Sequence, residues 1–234
     1  RNLAAMDTEE MIRSNPMDGV VLLTGCDKTT PAALMGAFSA DLPCIHLSVG
    51  PALNGHWRGQ TLGACTDCRR MTAEYTAGTI AAETYREIEE NVFRSRGHCM
   101  VMGTASTMNS LTEALGIALP GNGATPATDA ARLRLAEQTG RRIVALAQAG
   151  LRPSSLVTRH AFENAITLLA ALGGSTNAVV HLPAMAGRLG IELPLELFDR
   201  ISRRTPLIAN LRPSGQYQME DLHFAGGIPA VLRE

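Results

Sequence analysis

The sequence predicts an α/β fold, a parallel sheet flanked by helices in three layers, and three observations carry that reading. Gly19-Val20-Val21-Leu22-Leu23-Thr24 is short, β-branched and almost wholly apolar, as a strand buried on both faces of a parallel sheet would be. Cys44-Ile45-His46-Leu47-Ser48-Val49 reads as a second such strand, stopped by Gly50-Pro51. Between them, Thr30-Pro31 reads as an N-cap followed by proline at the first helical position, and residues 32–37 continue as helix. Strand, helix and strand therefore alternate over about 30 residues, as in a right-handed βαβ unit.

The remaining elements follow in order. Asp7-Thr8-Glu9-Glu10 has capping-box spacing, with Met6 and Met11 placed as a staple, and predicts a helix to about Ser14. Residues 50–72 are rich in glycine and polar side chains and read as a long loop, a length that is usually functional. Residues 79–95 read as an amphipathic helix stopped by Gly97. Helical patterns recur over 106–117, 128–149, 159–172 and 176–189, the last kinked by Pro183. Leu207-Ile208-Ala209-Asn210-Leu211 reads as a late strand.

At 234 residues and 45% hydrophobic content the chain can bury a full core, most simply as a single α/β domain over 1–234. A net charge of -1 without basic runs leaves no footprint for nucleic acid or an anionic membrane, which points to a small-molecule partner. No apolar run approaches the roughly 18 residues of a bilayer span. Five cysteines, an odd number, argue against a secreted disulfide framework and for a reducing compartment such as the cytoplasm. The chain opens on Arg1 and closes in a helix-like run without a stop signal, and so reads as an internal fragment lacking its N-terminal start and a C-terminal domain.

The candidate site lies at the end of the first strand. Gly25-Cys26-Asp27-Lys28-Thr29-Thr30-Pro31 sets a thiol, a carboxylate and an amine side by side where strand becomes helix. In open α/β sheets, ligands bind at the carboxyl ends of strands, and helix N-termini there favour anions. The run Gly97-His98-Cys99-Met100-Val101-Met102-Gly103-Thr104-Ala105-Ser106-Thr107-Met108 repeats the logic: a cysteine in a glycine-flanked turn before a helix capped by Ser106 or Thr107. Two such thiols can converge on one metal centre, but alone they fall short of the roughly three or four donors that thiolate centres take.

The run of residues 18–32 around Cys26, the run from Cys99 to Met108, Gly173-Gly174-Ser175-Thr176-Asn177-Ala178 and Pro213-Ser214-Gly215-Gln216-Tyr217-Gln218-Met219-Glu220-Asp221 together resemble the dihydroxy-acid and sugar-acid dehydratases, the IlvD/Edd family, in order and spacing. The resemblance covers the whole chain and implies the larger part of the family's N-terminal domain. It implies that Cys26 and Cys99 are two of three cysteines holding an iron–sulfur cluster, [2Fe–2S] favoured over [4Fe–4S]. It makes Asp27 a Mg²⁺ ligand and Lys28 a second one, through its carbamate. A lysine ammonium cannot bind a cation, whereas its carbamate is the hard oxygen donor Mg²⁺ requires. The implied reaction is loss of water from a 2,3-dihydroxy acid to a 2-keto-3-deoxy acid. Residues 29–32 and the 50–59 loop favour a sugar acid such as an aldonate over the branched-chain dihydroxy acid. A homodimer or homotetramer is implied for the full-length protein, while the fragment alone is expected to be inactive. The first cluster cysteine, an acidic Mg²⁺ ligand and the catalytic base are expected outside these residues.

Other residues have plainer readings. Cys65-Thr66-Asp67-Cys68 is a CxxC without the second pair that a zinc site needs, and is not a cluster position carried over from the family. Cys44 reads as core. The six histidines share no metal spacing, and only His98, beside Cys99, is a candidate substrate or cluster contact. Ser175 and Thr176 cap a helix or hold an anion at its N-terminus. Two other functions compete: a non-catalytic or regulatory α/β domain, and a zinc or redox module centred on Cys65 and Cys68.

Overall fold

The computed structural model describes residues 1–234. In chain order the elements are α1 (Asn2–Arg13), β1 (Val20–Thr24), α2 (Thr29–Ala40), β2 (Cys44–Ser48), β3 (Gly55–Trp57), β4 (Gln60–Leu62), α3 (Asp67–Thr76), α4 (Ala82–Val92), α5 (Thr104–Ala114), α6 (Ala130–Gln148), α7 (Pro153–Leu156), α8 (Arg159–Ala171) and α9 (Ala178–Ala186). A 3₁₀ turn (Gly187–Leu189), α10 (Leu195–Arg204), α11 (Met219–Phe224) and α12 (Gly227–Arg233) complete the chain. No helix is long and apolar enough to cross a membrane.

The βαβ unit is present. β1 and β2 pair in parallel with Val20 opposite Cys44 and Thr24 opposite Ser48, and α2 connects them. The sheet has only these two strands, extended by one parallel bridge from His46 to Ala118. α2 packs against β1, and α6 against both strands. β1 is not buried on both faces: Leu22 enters the core, while Val21 and Leu23 are 37% and 63% exposed. An apolar run reports the residues of a strand and not whether a layer covers its second face.

One large core holds α2, α5 and α8 together through Leu34, Phe38, Met108, Leu111, Phe162 and Ile166. α1 crosses α2 so closely that a Cβ on Gly36 would come within 2.6 Å of the Ala5 carbonyl. A small satellite core of Leu62, Met71, Ile88 and Val92 seats α3 and α4 under the β3–β4 hairpin.

Several boundaries differ from expectation. α1 starts at Asn2, so the Asp7-Thr8-Glu9-Glu10 run lies inside it, where the Thr8 hydroxyl donates to the Ala4 carbonyl at 2.7 Å instead of capping. α2 begins at Thr29 with Lys28 as N-cap, two residues ahead of the start that Thr30-Pro31 signals. α5 begins at Thr104, which displaces Ser106 and Thr107 from the cap into the helix. α4 is shorter than the 79–95 pattern. The 50–72 stretch contains a hairpin whose turn residues, Arg58 and Gly59, both have positive φ, the geometry of a tight two-residue turn. Residues 207–211 are not a strand, because the Ile208 and Ala209 amides both donate to the Ala171 carbonyl and finish α8. Cys44 lies in the core as expected, and Pro183 lies inside α9.

Candidate functional site

A cleft of about 1120 Å³ opens at the carboxyl end of β1. The β1–α2 turn supplies Gly25, Cys26, Asp27 and Thr29, the approach to α5 supplies His98, Cys99 and Thr104, and the start of α3 supplies Cys65, Thr66 and Arg69. Cys26, Asp27, His98 and Cys99, predicted from separate stretches, thus share one cavity. Lys28 does not line it but pairs with Asp27, Nζ to Oδ2 at 2.9 Å, both partly exposed. Ser175 and Thr176 also lie outside. α9 begins at Ala178 with Asn177 as N-cap, and the Ser175 hydroxyl shares a hydrogen bond with Thr104 at 2.8 Å, so Ser175 supports the rim of the cleft.

The turn that carries Cys26 is built by buried polar side chains. Thr24 Oγ1 shares hydrogen bonds with Thr30 Oγ1 at 2.8 Å and His46 Nε2 at 2.9 Å. Thr30 donates to Asn109 Oδ1 at 3.1 Å, and Asn109 Nδ2 donates to the Gly25 carbonyl at 3.2 Å. Strand end, helix start and α5 are tied together immediately before the thiol. The sequence offers one signal for Asn109: a run of Ser, Thr and Asn in a helix, whose burial calls for hydrogen-bond partners, which Ser106, Thr107, Asn109 and Thr112 have and the Ser110 hydroxyl lacks.

His46 is fully buried, its Nδ1 facing Thr112 and Asn122. Burial, reinforced by Arg132 and His98, pushes its pKa down from 6.5 to about 3. A depressed imidazole is neutral in the fold, so the unfolded chain binds the extra proton below pH 6.5 and stability falls as pH drops from there toward 3. The slope for one such group is about 1.4 kcal/mol per pH unit. Urea unfolding of wild type and His46→Gln is therefore expected to show a stability gap that narrows by about that amount per unit between pH 6.5 and 4.5. A gap independent of pH would contradict the burial of a neutral imidazole.

Cys99 is fixed by backbone. The His98 amide donates to the Gly50 carbonyl at 3.0 Å and the Ala52 amide to the His98 carbonyl at 2.8 Å. Gly97, at φ 130, lets the chains approach where a Cβ would meet the Ala52 nitrogen at 2.4 Å. The Ser106 hydroxyl donates to the Val101 carbonyl at 2.7 Å, closing the turn after Cys99. His98 Nδ1 lies 3.0 Å from the Cys99 carbonyl, which can only accept, so Nδ1 carries the proton and the buried, unpartnered Nε2 is the free base nitrogen.

Charge is distributed to suit metal and anion. Burial pushes the Cys99 thiol well above its ordinary range, opposed by the Val101 amide and reinforced by Cys65. A thiolate there is favoured only beside a cation. For Asp27, burial raises the pKa, but the Lys28 ammonium and the Cys26 thiol outweigh it and hold the carboxyl below its ordinary value. Arg69 and Arg96 line the same cleft, a pair of cations that sequence reading did not single out. The donors sort by type: two soft sulfurs suited to iron, and a carboxylate with a neighbouring amine suited, as carboxylate and carbamate, to a hard cation. No three His, Cys, Asp or Glu side chains gather tightly enough to enclose a metal by themselves. The donor chemistry therefore fits the two groups as part of a larger set.

The family pattern described as Dihydroxy-acid/6-phosphogluconate dehydratase N-terminal matches residues 1–234. The chain belongs to this dehydratase family. Relatives of this dehydratase-family chain include the L-arabonate dehydratase of Azospirillum brasilense, 54% identical over 233 residues, covering 100% of this chain and 40% of the relative. The L-arabinonate dehydratase of Rhizobium leguminosarum bv. trifolii is 53% identical over 233 residues, again 100% of this chain and 40% of the relative. The dihydroxy-acid dehydratase of Thermodesulfovibrio yellowstonii is 45% identical over 233 residues, 100% of this chain and 42% of the relative. The chain thus spans about two fifths of the length of the curated relatives it matches.

The structure also places Cys65 where sequence reading did not. Its sulfur lies 3.8 Å from that of Cys99, and its backbone holds φ 66, a left-handed conformation uncommon for a residue with a Cβ.

Proposed function

We propose that the full-length protein is a hydro-lyase that removes water from a 2,3-dihydroxy acid to give a 2-keto-3-deoxy acid, with a sugar acid such as an aldonate as the preferred substrate. The observation that carries this reading is the convergence of Cys26, Asp27 and Cys99 with two arginines on one cleft at the end of a parallel strand. The higher identity to relatives named for arabonate and arabinonate than to one named for dihydroxy acids supports the sugar-acid preference.

Cys26 and Cys99 would hold an iron–sulfur cluster, [2Fe–2S] favoured, while Asp27 and the carbamate of Lys28 would hold Mg²⁺. When bound, these groups supply a Lewis acid for the departing 3-hydroxyl and positive charge for the substrate carboxylate and 2-hydroxyl. Arg69 and Arg96 draw the acid into the cleft by charge. His98 Nε2 offers a lone pair to a substrate hydroxyl, and the Asn109–Thr30–Thr24 chain keeps Cys26 from shifting relative to Cys99. Further donors and the base that takes the C2 proton belong to the rest of the full-length protein, a cytoplasmic homodimer or homotetramer on this reading, so that this stretch alone does not turn over.

Assaying the full-length protein on an aldonate and on a branched-chain 2,3-dihydroxy acid tests the proposal. A kcat/KM at least tenfold higher on the aldonate is expected. The reverse preference would overturn the substrate assignment, and inactivity on both would overturn the reaction class.

A further inference from the structure

The CxxC pattern is the one motif that this function does not use, and the structure partners it in an unexpected way. The sulfurs of Cys65 and Cys99 are in van der Waals contact at 3.8 Å, although 34 residues separate them. A side-chain rotation of roughly 2 Å separates that contact from a disulfide bond. Cys65 is exposed, Cys99 is half-buried, and both line the cleft, so a small oxidant reaches the pair. Each backbone is held independently. The Gly63 amide donates to Asp67 Oδ2 at 2.7 Å and the Ala64 amide contacts Met100 Sδ at 3.1 Å, which fixes the turn around Cys65. Cys99 is held by the backbone contacts of His98 with Gly50 and Ala52. Cys68, by contrast, is already part of α3 and packs beside Ala52, Ala64 and Met100.

We propose that Cys65 and Cys99 form a reversible disulfide in the metal-free protein when a hydroperoxide enters the cleft. The exposed Cys65 sulfur attacks the O–O bond, becomes a sulfenic acid and releases water or an alcohol. The Cys99 sulfur then attacks the sulfenyl sulfur, and the hydroxyl leaves as water with the remaining thiol proton. Two thiols give up two electrons, and one peroxide takes them. The bond closes Cys99 off in a form that a dithiol reductant restores, protecting it from irreversible oxidation. Its relevance to cluster assembly rests on the proposed function, but the disulfide itself does not.

The test uses metal-free protein treated with hydrogen peroxide. Free thiols are expected to fall by two per chain, Cys65 and Cys99 being the pair consumed. Non-reducing tryptic mass spectrometry is expected to show residues 59–69 joined to residues 97–132, reversed by dithiothreitol. Cys65→Ser should lower that joined species at least tenfold, and Cys68→Ser should leave it in place. A bond closed within residues 59–69, a joined species that survives Cys65→Ser, or a thiol count unchanged by peroxide would overturn the proposal. Loading iron and sulfide first suppresses the joined species if Cys99 is a cluster ligand. Its persistence would contradict that assignment while supporting the disulfide.

Discussion

Replacing Lys28 with alanine in the full-length protein is expected to lower dehydratase turnover by roughly 10²–10³-fold, the scale of losing one charged stabiliser from a preorganised site. Stability should hardly change. The Lys28 side chain is 50% exposed and its pairing with Asp27 is a surface ion pair, worth under about 1 kcal/mol. Lys28 is the N-cap of α2 without using its side chain as a cap, so alanine removes no helix-terminal hydrogen bond. Lys28→Arg should fail as badly as alanine, because a guanidinium keeps its charge and cannot become an oxygen donor. Turnover measured beside the thermal midpoint separates the cases: a K28A or K28R enzyme retaining a tenth of wild-type turnover would remove Lys28 from the site.

Arg132→Met is expected to cost the fold at least about 3 kcal/mol, a large share of a typical domain's stability. The guanidinium, almost wholly buried, donates to the carbonyls of Ser48 at 3.0 Å and Asn122 at 2.9 Å, and also to that of Thr125. It therefore fastens the loop before α6 to the end of β2, beside the cleft wall formed by Val49 and Ala127. Methionine fills similar space but leaves these acceptors unpaired, at about 1–3 kcal/mol each before relaxation. Burial lowers the Arg132 pKa to about 10, with Glu113 and Asp129 pulling it back up, so the side chain stays charged at neutral pH and no protonation change offsets the loss. Urea unfolding checks this, and a loss below about 1 kcal/mol would contradict the account.

The parts of the site legible in the sequence are those that local chemistry dictates. An apolar run followed by Gly25 and then Thr30-Pro31 can hardly be anything but a strand turning into a helix, and this placed Cys26 and Asp27 at a strand end. Cys99 was legible by the same logic. The family resemblance then supplied roles that spacing alone left open. What stayed hidden depends on contacts distant in sequence. Nothing near Cys65 announces that Cys99 will face it, and a left-handed backbone at a cysteine leaves no trace in composition. Asn109 and His46 matter through partners on other elements. Arg69 and Arg96 look like ordinary surface charges until folding brings them to one cavity. The strand expected at 207–211 but absent and the misplaced start of α1 have a common cause: hydrophobic spacing and capping signals describe preference, and tertiary hydrogen bonds decide between preferences.

On the proposed function, Cys26 and Cys99 face iron while Asp27 and Lys28 face a hard cation. Visible absorption with iron and sulfide analysis of the full-length protein, purified without air, tests it most directly against its Cys26→Ser and Cys99→Ser variants. A brown wild-type protein is expected, with bleached, iron-depleted variants that remain folded. A colourless wild type, or variants that keep the wild-type spectrum and iron content, would contradict it.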